Sequence, residues 1–264
     1  MPKTQKELAF LRDLYVRDEW TQRFADLVDK HLDLADSDNL VYVNAGTGTH
    51  ALLLDEKFGE KTDIFGYCED EYLLNIARDK AAAVSAGVDF SRVSFEGDAF
   101  DTVLADASFV RPSEMDAFVA DAVRVARTGG DVAVFLPAAG SFGEVFSLLW
   151  EVLFNDDLGE HGAAAERMIA EIPTVSRLET IAKDAGLVNV RTQTSIEAFE
   201  YENGAEFIAA PLVADFLLPV WLGFLPENER ERVTQELAQL IDAEDGTLSF
   251  RFSVKATLLT GEKA

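Results

Sequence analysis

Near Leu40 the hydrophobic pattern of this chain changes period, and that change limits its fold more than any other feature. Upstream, apolar residues recur at helical spacing. Leu8, Leu11, Leu14 and Tyr15 follow a Thr4-Gln5-Lys6-Glu7 capping box, and Trp20, Phe24, Leu27, Val28, His31 and Leu32 form a second stripe that ends before Asp36-Ser37-Asp38-Asn39. Downstream, short apolar runs alternate with helical stretches. Residues 40–43, 63–67, 93–95 and 132–136 predict strands, and 102–105 predict a further strand that follows 93–95 too closely for an intervening helix. Residues 50–58, 71–86 and 113–127 predict helices. Such alternation predicts parallel strands joined by right-handed crossovers with helices on both faces, a doubly wound α/β sheet.

Past residue 136 the segment Pro137-Ala138-Ala139-Gly140-Ser141 breaks the chain. Helical stretches are expected over 142–154, about 175–185, 212–222 and 227–243, with a strand over 186–194. The final strand is expected over 248–259, where Phe250, Phe252, Val254 and Ala256 alternate with Ser249, Arg251, Ser253 and Lys255. Charge narrows the partners: 48 acidic against 23 basic residues, a formal net charge of −25, repel a phosphate backbone and an anionic membrane. No apolar run approaches a membrane span, Cys68 has no second cysteine to bridge, and His31, His50 and His161 lack metal-ligand spacing. The expectation is a cytoplasmic protein with no metal, no nucleic acid and no membrane partner.

The most informative segment is Val41-Tyr42-Val43-Asn44-Ala45-Gly46-Thr47-Gly48-Thr49-His50-Ala51. A strand that runs into Gly46 and Gly48 and then into a helix lets backbone approach a nucleotide-like ligand where side chains would block it. Gly46-x-Gly48-x-x-Ala51 also satisfies the dinucleotide fingerprint, so a nicotinamide-dependent oxidoreductase is one reading of the turn.

Further segments point elsewhere. The turn with Asn44 before it resembles the first motif of the class I S-adenosylmethionine-dependent methyltransferases. Gly66-Tyr67-Cys68-Glu69-Asp70-Glu71, running on to Leu74-Asn75-Ile76-Ala77-Arg78, looks like that family's second strand and following helix. Phe95-Glu96-Gly97-Asp98-Ala99 is similar to its third-strand motif, whose aspartate accepts a hydrogen bond from the adenine amino group. Val123-Arg124-Val125-Ala126-Arg127-Thr128-Gly129-Gly130 resembles the turn before strand five, Ala185-Gly186-Leu187 the turn into strand six, and the stretch from Tyr15 to Trp20 an N-terminal helix that closes over the cofactor.

The resemblance implies a Rossmann-like mixed sheet of seven strands with the last antiparallel, a helical N-terminal cap and C-terminal helical insertions. It implies one domain over 1–264, divided into a cap over 1–38, a cofactor-binding half over 39–137, and insertion helices with C-terminal strands over 138–264. S-adenosylmethionine is the implied cofactor, with Tyr15, Asn44, Gly46, Gly48, Cys68, Glu69, Asp98 and Ala99 as its expected contacts. Three positions depart from the family pattern. Asn44 stands where an acid is usual, His50 where a third glycine is usual, and Cys68 where the ribose-binding carboxylate is usual, with Glu69 one residue late. A one-residue slip turns a strand side chain to the opposite face.

Methyl transfer is an in-line displacement that needs positioning above all, so few catalytic side chains are obligatory. His50 is one candidate base, and Tyr15, Trp20 and Phe100 lie in segments expected near the sulfonium. The implied function is methyl transfer to an unidentified small-molecule acceptor, a hydrophobic pocket for which would draw on 142–154 and the C-terminal apolar stretches. The alternative is a non-catalytic scaffold or partner-binding protein with a degraded cofactor site, which the three departures motivate.

Overall fold

The Thr4 capping box forms as the sequence predicts: Glu7 N–H donates to Thr4 Oγ1 at 3.3 Å, and Thr4 N–H donates to the Glu7 carboxylate at 2.7 Å. These bonds satisfy amides that the first turn of a helix leaves without partners. In the computed structural model, which describes residues 3–34, 37–243 and 249–264, the helix that starts here does not break where two were expected. Helix α1 (Gln5–Leu11) continues through a π-helical stretch, Arg12–Thr21, into α2 (Gln22–His31). In an α-helix a spacing of four overshoots one turn by about 40°. The wider π turns offset that drift, so Arg12, Val16, Trp20, Phe24 and Val28 all turn inward.

The remaining elements follow the alternation. Strand β1 (Asn39–Val43), helix α3 (Thr49–Phe58), β2 (Asp63–Tyr67), α4 (Glu71–Val84), β3 (Asp89–Ser91), β4 (Phe100–Asp106), α5 (Met115–Val125) and β5 (Ala126–Pro137) come first. Then come α6 (Gly143–Asn155), α7 (Gly162–Glu171), α8 (Val175–Asp184), β6 (Leu187–Tyr201), α9 (Gly204–Ala209), α10 (Leu218–Trp221), α11 (Glu227–Ala243) and β7 (Phe250–Lys263). The seven strands form one sheet in the order β3-β2-β1-β4-β5-β7-β6. Strands β1 to β5 are mutually parallel and β7 lies antiparallel to β5, so the expected mixed Rossmann-like sheet is present. The parallel strands carry Leu40, Val41, Ile64, Val103, Leu104, Val132 and Val134 into the core, as near-continuous apolar runs buried on both faces should.

Several boundaries differ from expectation. Residues 93–95 form no strand: the third strand is the short Asp89–Ser91, and Val93 is 73% exposed. Residues 92–99 are the crossover itself and contain no helix. Gly129 and Gly130 do not precede β5 but lie within it, where the β4–β5 register shifts between Phe100 and Thr102. Helix α7 falls in an acidic, Gly-containing stretch for which no element was expected, although its Ala163-Ala164-Ala165-Glu166-Arg167-Met168 run is made of strong helix formers. Asp36, and Leu248 at the expected start of the last strand, lie outside the described residues.

The chain divides into two compact units. The first comprises Met1–Pro137, Thr174–Ser195 and Ala256–Ala264; the second, Ala138–Pro173 and Ile196–Lys255. The second unit is built on aromatics: Phe142 and Trp221 rings lie 5.0 Å apart, and Phe199 stacks on Phe252 at 5.0 Å. Residues 142–154, expected as one wall of an acceptor pocket, send Val145, Phe146, Leu149, Val152 and Leu153 into this core.

In the first unit, Gly66 pairs with Phe90, whose ring covers the position a Gly66 Cβ would take. Gly66→Ala therefore overpacks a buried contact and is expected to cost about 1–3 kcal/mol in urea denaturation. Gly143→Ala, where nothing lies within 4 Å, should leave the midpoint nearly unchanged.

Candidate functional site

The carboxyl ends of β1, β2 and β4 lie side by side at one edge of the sheet, the edge where open α/β sheets bind ligands. The turn after β1 is held in left-handed conformations at Asn44 (φ 57°), Gly46 (φ 58°) and Gly48 (φ 79°). At Gly48 the conformation and the space both demand glycine, because a Cβ would lie 2.7 Å from the Phe90 ring and 2.9 Å from the Ala77 Cβ. Asn44 tolerates a positive φ, and its amide donates to the backbone carbonyl of Asp106 at 3.1 Å. A carboxylate there has no proton to donate, so this tie between the ends of β1 and β4 explains asparagine in place of the acid.

Glu69 is not lost to the far side of the sheet. It lies past the end of β2, where the strand constraint no longer holds, and its carboxylate accepts from Gly46 N–H at 3.1 Å. Its other oxygen accepts from Arg12 Nη1 at 2.6 Å. Arg12 Nη2 lies 4.0 Å from Asp106 Oδ2 and would be 3.2 Å from a Cβ on Gly46, and its guanidinium carbon sits 5.2 Å from the Phe109 ring centre. The guanidinium thus fills the space over the glycine turn, between one carboxylate from the end of β2 and one from the end of β4. Burial opposes its charge, but Glu69 and Asp106 outweigh that cost and raise the Arg12 pKa further. The cavity left beside it is about 20 Å³, room for a single water, lined by Arg12, Tyr42, Gly46, Thr47, His50 and Asp106 among others.

A second contact ties the same helical segment down. Lys80 of α4 donates to Asp13 Oδ1 and to Thr49 Oγ1, each at 2.5 Å. His50 is buried, with Nδ1 3.2 Å from the Tyr42 hydroxyl and Nε2 3.2 Å from Asp29 Oδ1. The bond to His50 holds the Asp29 carboxyl below its usual range. Burial, and then Asp106, push the Tyr42 phenol well above its usual range, so it stays a neutral donor. With both ring nitrogens engaged, His50 orients Tyr42 at the cavity wall and has no nitrogen free for an acceptor proton.

The other expected positions are scattered. Cys68 is fully buried, and burial reinforced by Glu69 pushes its thiol up to about 12, which removes it from nucleophilic chemistry. Tyr15 is 49% exposed on the outer side of the π-helical stretch. Asp98 and Ala99 precede β4 and lie at the opposite, amino edge of that strand. Their amides donate to Arg124 and Val125 carbonyls, and the Asp98 carboxylate accepts from Lys263 Nζ at 2.8 Å. The expected adenine contact placed Asp98 at the end of a third strand; the structure places it in the crossover before β4. Phe100, expected near a sulfonium, packs at the same far edge against Phe65 and Phe95. Trp20 is fully buried, 5.6 Å from Phe109. Sequence reasoning missed Arg12 and Asp106. Asp106 ends the apolar run of β4, which is the signal that would have found it; Arg12 carries no such local signal.

Among the described residues, no group of three or more His, Cys, Asp or Glu stands close enough to hold a metal ion, and no helix is long and apolar enough to cross a membrane. Residues 41–134 match the family model described as a methyltransferase domain. No curated protein matches the chain by sequence. Among solved structures, the chain is similar to a putative methyltransferase from Bacillus halodurans (TM-score 0.58, 16% identity, covering 92% of this chain and 99% of that one). It is also similar to the YcgJ protein from Bacillus subtilis (TM-score 0.58, 15%, 92% and 98%). A third, the [4+2]-cyclase SpnF, aligns with TM-score 0.51 and 19% identity over 93% and 82%. The match to that methyltransferase-domain description is confined to residues 41–134, the stretch that holds the glycine turn, Glu69 and Asp106. The chain around them shares the fold of these structures, a seven-stranded mixed Rossmann-like sheet.

Burial, only partly offset by Arg12 and the hydrogen bonds from Ser108, pushes the Asp106 carboxyl up to about 6 from an ordinary 3.8. Between about pH 4 and pH 6 the folded protein holds a proton that the unfolded chain has released. This group's contribution to stability therefore falls as pH rises through that window. Urea titrations from pH 4 to pH 7 should show the stability of wild type relative to Asp106→Asn declining with pH, and a flat difference would contradict the burial described.

Proposed function

We propose that the protein transfers the methyl group of S-adenosylmethionine to a small-molecule acceptor. The observation that carries this reading is the cation held at the strand ends. The cleft over Gly46 is built to take positive charge, with Glu69 and Asp106 on its two sides and the Phe109 ring against the guanidinium. S-adenosylmethionine is cationic at its sulfonium and its ammonium, so the donor set fits it. When bound, the cofactor supplies an activated methyl group for in-line displacement. Glu69 is the residue in place to accept from ribose hydroxyls, and the turn at Gly46 and Gly48 lets backbone approach the ligand. Tyr42, oriented by His50, offers a hydroxyl at the cavity wall. The net charge of −25 supports a small, uncharged or cationic acceptor over nucleic acid, and the lone buried Cys68 is in keeping with a cytoplasmic location.

One observation favours the alternative of a non-catalytic scaffold: the side chain of Arg12 stands where the cofactor would lie. The similarity to a protein described as a [4+2]-cyclase adds that this fold does not by itself fix the chemistry.

Calorimetry with S-adenosylmethionine, S-adenosylhomocysteine and NAD separates these readings. The first two are expected to bind at one site and NAD to give no heat. Homocysteine-form ligand at 100 times its Kd should stabilise the fold by about 2.7 kcal/mol, read as a rise in Tm. Incubation of methyl-labelled cofactor with a cell extract should place label in the small-molecule fraction. Label recovered in nucleic acid or protein would overturn the acceptor class.

A further inference from the structure

The cofactor reading requires a ligand of nucleoside size to enter a cleft whose remaining cavity is about 20 Å³. The space is taken by one side chain of the chain itself, and Arg12 makes the same kind of contact that a cationic ligand would make. Its segment has two independent fastenings: the guanidinium on Glu69 and Asp106, and Asp13 on Lys80, which also holds Thr49 at the start of α3. The segment is also the π-helical stretch, whose wider turns align the inward stripe and are a less common arrangement than the α-helices on either side.

We propose that the stretch from Arg12 to Thr21 is a self-inhibitory latch, in which the Arg12 guanidinium occupies the cofactor cleft and must exchange with the cationic end of S-adenosylmethionine for the ligand to bind. This rests on the cofactor reading above and adds to it a regulated entry step. In the latched state Glu69 is spent on Arg12 and Gly46; in the open state it is released to a ligand. Binding is weakened by the fraction of molecules that are latched, so any change that loosens the latch raises apparent affinity without new contacts to the ligand.

The test uses the full chain as wild type, Arg12→Met and Asp13→Asn, titrated with S-adenosylmethionine and S-adenosylhomocysteine. Arg12→Met removes the guanidinium but leaves Asp106 without its counter-charge. Asp13→Asn leaves the cleft carboxylates untouched and loosens only the Lys80 fastening, so it reports on the latch even if the first variant folds poorly. Both are expected to bind S-adenosylmethionine about 10-fold more tightly than wild type, or better. In wild type, saturation with S-adenosylhomocysteine should speed amide hydrogen exchange over residues 8–21. Equal affinities in all three proteins, weaker binding by Arg12→Met, or slowed exchange over 8–21 would overturn the latch while leaving the cofactor reading intact. No heat with any of the three would overturn the cofactor reading, and the latch with it.

Discussion

A positive charge placed between the ends of β2 and β4 organises the first unit of this protein. Two carboxylates at one sheet edge, Glu69 beside the glycine turn and Asp106 almost wholly buried, repel each other unless a cation lies between them. Arg12 supplies it, with planar geometry and a charge that burial does not remove. The inward stripe of the N-terminal helix, the tilt of Glu69 toward Gly46 N–H and the tie from Asn44 to the Asp106 carbonyl all converge on this point. Breaking a buried pair by removing one partner is costlier than never having built it. An occupant of some kind is therefore a condition of the site's stability as well as of its chemistry.

The position of the acid after β2 illustrates how backbone context overrides strand alternation. Within a strand, a one-residue displacement reverses the face a side chain points to. Glu69 lies two residues past the last residue of β2, where Cys68 still donates its amide to Ser91 across the gap but the chain is already turning toward the Asp70 cap of α4. Cys68 takes the buried position and Glu69 the outward one. The departure that argued for a degraded site is thus compatible with a carboxylate in the cleft.

Much of the architecture was legible because it rests on periodicity. The change of pattern near Leu40, the capping box at Thr4 and the ends of α11 at Glu227 and Ala243 are local signals that tertiary packing left in place. The site was only half legible. Gly46, Gly48 and Glu69 meet at the strand ends as the motif implied, because a turn geometry constrains residue type directly. The placement of Asp98 differs from expectation because its short motif resembles a strand end, yet the chain there is the crossover before β4, and only the pairing of Asp89–Ser91 with β2 reveals this. Arg12 was invisible for a different reason. Nothing in a helical stripe distinguishes an inward arginine that reaches two carboxylates 57 and 94 positions later from one that lies along the surface.

The placement of β7 has a consequence for how the chain comes to be folded. It inserts between β5 and β6, yet it is the latest-made of the seven strands. During synthesis the β7-facing edge of β5 stays open until more than a hundred further residues have been added, a long interval for an unpaired edge of an apolar strand. The helices and strands between β5 and β7 in the chain are therefore made before that edge is closed.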